Sequence, residues 1–184
     1  MVSMVATLEG GQLMEVGLVG REGMVGLPVV LGAESGSVEA MVQVPGAALS
    51  LPAAILVEAL DRTPALKALL LRYMQAFHVQ VAQTAACNGC HPVEERLARW
   101  LLMTHDRVGS DTFPMTQEFI ATMLGVRRAG VSVTAGILQR TGVITYKHGH
   151  IAILDRPGLE STSCECYGTV RRQFERLLGI VAGE

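Results

Sequence analysis

Arg127 and Arg128 stand two and three residues after Gly125, at the head of a segment whose Val131, Ala135 and Leu138 recur at helical spacing up to Arg140. A guanidinium at a helix tip can offer two parallel N–H donors to N7 and O6 of a guanine. One such contact in a major groove discriminates between bases by about 1–3 kcal/mol. Gly130, Ser132 and Thr134 complete the candidate set on this helix. Thr116 and Gln117 begin the preceding helix, where hydroxyl and amide groups can donate to phosphate. Lys147 and His148, in a short basic loop, would hold the sugar-phosphate backbone.

A second set of reactive side chains is sulfur-based. Cys87-Asn88-Gly89-Cys90-His91 offers CxxC plus a histidine, and Cys164-Glu165-Cys166 offers two further thiols. With His78 these residues can be arranged as zinc or iron–sulfur ligands, or act as redox thiols. A full metal site, however, usually shows two closely spaced pairs that the fold can unite. Here the second pair is CxC, about 75 residues on. The expectation is therefore no metal site, with Cys87 and Cys90 the weak candidates, and cysteines that are structural or on the surface. No GK[ST], HExxH or GxSxG stretch is present. Glu94 and Glu95 are adjacent on a helix and diverge, and His105 reads as a helix-face residue. The expectation is no enzyme, no catalytic residue and no cofactor.

The elements that must position the arginines are legible in residues 115–154. Thr116 is an N-cap, Phe119, Ile120, Met123 and Leu124 form an apolar face, and Gly125 stops the helix in a left-handed turn. A second helix runs from near Arg127 to Arg140, and Gly142 ends it. Val143–Tyr146 and Ile151–Leu154 read as two strands joined by Lys147-His148-Gly149-His150. Helix, tight turn, helix and hairpin make a winged helix-turn-helix, a double-stranded DNA reader.

Upstream, short apolar runs (Met4–Leu8, Met14–Val19, Ala40–Val44, Ala47–Leu51) between Gly and Pro punctuation read as strands, and the glycines from Gly17 to Gly32 suit a tight roll. A helix over Ala53–Asp61 follows. Pro64, behind Thr63, opens a helix to about Ala86 that spans ~34 Å. Its Leu66, Leu70, Tyr73, Phe77 and Val81 approximate a heptad seam, widened by Leu69 and Met74. Lys67, Arg72, Gln75, His78, Gln80 and Gln83 give thin polar cover. A core helix of one domain is one reading. Packing against its twin in a homodimer is preferred, because the helix is long and joins two differently composed halves. Asn88–Pro92 reads as a hinge, Val93 to about Arg107 as another amphipathic helix, and residues 167–181 as a last one.

The chain has 184 residues, 49% hydrophobic, 17% charged, with net charge −2. That sum hides an asymmetry: residues 1–63 hold seven acids and two bases, whereas residues 92–158 hold six acids and eight bases. No run approaches the roughly 18 apolar residues of a membrane helix, and the opening MVSMVATLEGG lacks a basic leader. A soluble cytoplasmic protein, with no membrane partner, is expected.

LGVRRAGVS, HPVEERLARWLL and the Glu15–Gly32 block EVGLVGREGMVGLPVVLG resemble the Crp/Fnr superfamily of bacterial transcription regulators over nearly the whole chain. The resemblance implies an α+β fold: a cyclic-nucleotide-type β-roll sensor (partial here, 1–63), a dimerisation helix and hinge (64–91), and a winged helix-turn-helix with a C-terminal helix (92–184). It implies a dimer on a near-palindromic operator, and RNA polymerase as a further partner. Met1 falls in what should be the middle of the roll, so either the roll begins upstream, the preferred expectation, or its N-terminal portion is degenerate. Two departures matter. Ala129 stands where many members carry a Glu after the Arg, so the preferred operator should differ. No Arg accompanies Gly23-Met24-Val25-Gly26 or Ser37-Val38-Glu39-Ala40 to pair with a cyclic phosphate, and Glu39 would repel one. Two alternatives stay open: a cysteine-based redox or metal sensor with secondary DNA contact, and a winged helix used for protein contacts.

Overall fold

The structure, a computed structural model, describes residues 1–180. The last residue of the C-terminal helix expected over 167–181 therefore lies outside the described residues. The chain opens with an antiparallel sheet in the order β2-β1-β3: β1 (Val2–Thr7) is flanked by β2 (Leu13–Val19) and β3 (Glu39–Val42). Gly17 is glycine because the Phe77 ring lies against it; a Cβ there would sit 2.9 Å from the ring. The glycine-rich stretch beyond β2 is not strand but loop around a short helix, α1 (Leu27–Val30). Ala47–Leu51, expected as a strand, has no regular structure, and Leu49 and Leu51 are exposed. Pro45 and Pro52 flank it, and no neighbouring edge pairs with it.

Helix α2 (Ala53–Arg62) leads into α3 (Pro64–Cys90). The long helix does not end near Ala86 but continues through Asn88 and Gly89. Burial of Cys87 in that last turn offsets the roughly 1 kcal/mol that a helical Gly costs. It stops at His91, driven into extended backbone (φ −109°, ψ 147°) by the Pro92 that follows. The expected seam is only partly open. Tyr73 packs with Ala76 against Val170 and Phe174 of the same chain, and Phe77 covers Gly17. Gln80, read as polar cover, is fully buried: its amide accepts from Leu18 N (3.2 Å) and donates to Leu18 O (3.1 Å). Leu69 and a second row, Ala68, Leu71, Gln75, His78, Ala82, Ala85 and Gly89, stepping by three or four, are among the residues of α3 that stay exposed.

The C-terminal portion comprises α4 (Val93–Val108), β4 (Thr112–Pro114), α5 (Gln117–Leu124), α6 (Arg128–Arg140), β5 (Ile144–Lys147), β6 (His150–Ile153), α7 (Arg156–Thr162) and α8 (Cys166–Leu178). The wing has three strands rather than two: β4 pairs with β6, giving the order β4-β6-β5. Leu97, Leu101, Phe113, Ile120, Leu138 and Ile151 form the centre of the core, and Val5 and Leu18 of the first sheet belong to the same cluster. The sheet thus leans directly on α4 and α5. Among the described residues no helix is long and apolar enough to cross a membrane.

Candidate nucleic-acid interface

Thr116 caps α5, its Oγ1 accepting from Phe119 N at 3.1 Å. Gly125 closes the helix at φ 62°. That left-handed residue turns the chain so that Arg127 becomes the N-cap of α6 and Arg128 its first residue, with the Arg128 guanidinium exposed. Glu118, on the first turn of α5, lies 3.9 Å from Arg128 Nε and orients the guanidinium loosely. Gln117 and Ser132 are joined by a 2.5 Å hydrogen bond in which the hydroxyl donates to Oε1, so the two candidate helices are tied on their outer face.

The wing closes on the same side. His148 (φ 50°) and Gly149 (φ 77°) form a two-residue turn with both residues left-handed, the geometry that best fits strand twist. Gly149 O accepts from Met115 N at 2.6 Å, which holds the wing tip beside Thr116. Gln139 Oε1 accepts from Tyr146 N at 2.9 Å, anchoring the wing to the end of α6. Burial pushes the Tyr146 hydroxyl above its ordinary range.

Of the sequence-predicted residues, the fold gathers Thr116, Gln117, Arg127, Arg128, Ser132, Lys147 and His148 along α5, α6 and the wing, with Gly130 half-buried in the first turn of α6. Thr134 is a correction: it is buried at 6% exposure. It lies three residues after Val131 and four before Leu138, so helical geometry turns it inward with them. Val133, unremarked in the sequence, is 64% exposed on the outer face, where its methyls can meet a thymine methyl. Arg140 is exposed at the far end of α6. The eight bases of residues 92–158 then divide cleanly. Arg96 and Arg99 are buried, Arg107 pairs with Glu22 at 2.8 Å, and Arg156 pairs with Asp106 at 2.6 Å. The other four, Arg127, Arg128, Arg140 and Lys147, all lie at the ends of α6 and on the wing.

Behind this surface Glu15 of β2 is buried, accepting from Trp100 Nε1 of α4 at 2.9 Å and lying 2.6 Å from Ser3 Oγ. Burial raises its carboxyl from 4.5 to about 7. Ser3 Oγ is also 2.6 Å from Gln43 Oε1, and a hydroxyl has one proton to give. When Ser3 donates to Gln43, the protonated Glu15 completes the chain by donating to Ser3.

The cysteines group differently from the CxxC pair that the sequence suggests. Cys87, His91, Cys164 and Cys166 converge at the end of α3, their ligand atoms within 4.8 Å of one another. Cys90 and His78 stand apart from this group, and Cys90 is exposed. A hydrogen bond between Cys87 and Cys164 (3.5 Å) holds the Cys87 thiol below its ordinary range and pushes that of Cys164 up.

A helix-turn-helix with a solvated cationic helix tip and a basic wing defines a DNA-reading class of protein. Residues 95–162 match the Crp-like helix-turn-helix domain. No curated protein matches the chain by sequence. Among solved structures, the fold is similar to that of a CRP-family transcriptional regulator from Thermus thermophilus (21% identity, TM-score 0.68, 98% of this chain and 85% of that one). A CRP/FNR-family regulator from the same organism is similar at 20% identity and TM-score 0.64, over 88% of this chain and 82% of that one. FixK2 from Bradyrhizobium japonicum is similar at 16% identity and TM-score 0.65, over 89% and 83% respectively. The chain carries a Crp-like helix-turn-helix domain within the fold of the Crp/Fnr-type transcription regulators.

Proposed function

We propose that the chain regulates transcription by binding a near-palindromic operator as a homodimer. One α6 from each protomer would enter successive major grooves about 34 Å apart. The observation that carries this reading is the segregation of the bases of residues 92–158 that are neither buried nor ion-paired inside the fold onto α6 and the wing. Arg127 and Arg128 read base edges, with Ser132 and Val133 beside them. Thr116, Gln117, Lys147 and His148 hold phosphates. Self-association runs through the exposed three-four row on α3, whose small Ala68, Ala82 and Ala85 permit close approach of a twin helix.

In this reading residues 1–63 form the sensor, 64–91 the dimerisation helix and hinge, and 92–184 the DNA-binding unit, and the protein works in the bacterial cytoplasm. The signal is not a cyclic nucleotide. The Gly23–Gly26 and Ser37–Ala40 stretches offer no arginine, and Glu39 is exposed and accepts from Thr7 Oγ1 at 3.0 Å. A salt titration of duplex binding by fluorescence anisotropy tests the proposal. Affinity should fall steeply as salt rises, because each neutralised phosphate releases counterions. A flat response would assign the winged helix to protein contacts instead.

A further inference from the structure

Cys87, His91, Cys164 and Cys166 come from two places far apart in the chain. Cys87 lies in the last turn of α3, and His91, four residues on, is the residue that caps the helix end. Cys164 lies between α7 and α8, and Cys166 is the first residue of α8. All three thiols are buried, with Cys87 and Cys166 fully enclosed. Cys87 Sγ is 3.5 Å from Cys164 Sγ, and Cys166 Sγ is 3.5 Å from His91 Nδ1. In a tetrahedron with metal–sulfur bonds of about 2.3 Å and a metal–nitrogen bond near 2.0 Å, the corresponding edges are roughly 3.8 and 3.5 Å. The four groups therefore already stand close to the corners of a zinc site.

The surroundings are those of ligands rather than of idle thiols. His91 turns its other nitrogen, Nε2, toward Glu165 Oε2 at 3.4 Å, the carboxylate–histidine arrangement that orients a metal-bound imidazole. Gln83 Nε2 donates to Cys166 Sγ at 3.1 Å, a bond that favours a thiolate. Arg96 and Arg99 are buried close to the thiols, and their Nε atoms have no hydrogen-bond partner. Among the described residues neither forms an ion pair with a carboxylate. Three thiolates, a neutral imidazole and a divalent ion sum to −1, which supplies a counter-charge for these guanidinium groups.

We propose that Cys87, Cys164, Cys166 and His91 Nδ1 bind one zinc ion per chain. Binding releases the three thiol protons to solvent and involves no change of oxidation state. All four positions are filled by the protein, so the site is closed and serves as a clamp, not a catalyst. It fastens the C-terminal end of the long helix to the α7–α8 junction, across the hinge between α3 and the DNA-binding helices.

The reduced chain of residues 1–184, stripped of metal and titrated with Zn²⁺ or Co²⁺, tests this. Native mass spectrometry should find one ion per chain. The cobalt form should show the intense red-region bands of tetrahedral coordination together with thiolate charge transfer. Cys90→Ser should keep both signatures, whereas Cys164→Ser and His91→Ala should lose the thiolate-rich spectrum. Glu165→Gln should weaken the affinity about tenfold. If the serine variant at Cys164 does not fold, the unmodified chain and Cys90→Ser still decide the matter. A reduced chain that binds no ion, an octahedral cobalt spectrum, or loss of binding in Cys90→Ser would each overturn the proposal. So would a Cys87–Cys164 disulfide that persists in the metal-saturated protein.

Discussion

Arg128 and Lys147 are both exposed cations, but they stand in different relations to a duplex. Arg128 is the first residue of α6 and, in the proposed complex, meets base edges, so Arg128→Ala should lower affinity for the preferred site by about 1–3 kcal/mol and relax the preference at one base pair per half-site. Lys147→Ala should weaken all sequences alike and reduce the salt slope by about one. Competition binding against a panel of single-base operator variants separates the two; uniform losses for both would remove the base-reading role. Glu15 gives a pH prediction. Its folded pKa, about 7, is raised above 4.5, so its contribution to stability is full below 4.5 and is lost as pH rises through 7. The loss amounts to about 3 kcal/mol at most. Thermal melts of Glu15→Gln should therefore show a smaller decline between pH 5 and 8 than the unmodified chain; parallel curves would contradict the assignment. At this scale the arginines at the head of α6 are legible, because a Gly-terminated helix just before them fixes where they stand. Thr134 is not, because its hydroxyl suggests an outer contact while its spacing from Val131 and Leu138 places it on the inward face. The metal ligands escape sequence reading because Cys87 pairs with His91 one helical turn on, whereas CxxC spacing points to Cys90.

Helix ends carry the geometry of the interface. Gly125 has φ 62°, and the Met14 side chain of the first sheet occupies the place a Cβ would take. Gly125→Ala should cost about 1 kcal/mol, through the backbone strain of a left-handed φ while the flexible end of Met14 moves aside, and should lower DNA affinity by displacing Arg127 and Arg128. Urea denaturation read beside DNA binding checks this; a neutral variant would mean that the turn is not what aims α6. The α5 cap, the turn and α6 can be read from Thr116, Gly125 and Gly142 because each acts within a few residues. Strand β4 cannot, since three residues carry no periodicity and Thr112–Pro114 is a strand only through β6. The end of α3 is hidden for a similar reason. Asn88 and Gly89 signal a break locally, whereas the burial of Cys87 depends on the α7–α8 junction.

At the scale of the molecule, α3 serves two partners. One face is covered by α8 and the first sheet of its own chain, and the opposite row, exposed in the single chain, is the one proposed to meet a twin. Sequence periodicity alone favours Tyr73 and Phe77 for the twin, because a large apolar residue does not announce which helix will cover it. Leu71→Asp should convert the dimer to monomer by light scattering and reduce operator affinity, while the isolated chain keeps its fold. Paired α6 helices reading one duplex are the centre of the proposed function. Selection of bound sites from random duplex DNA measures this directly. The prediction is an inverted repeat with half-site centres about 10 base pairs apart, occupied by two chains. Enrichment of single half-sites, or of no sequence at all, would contradict it.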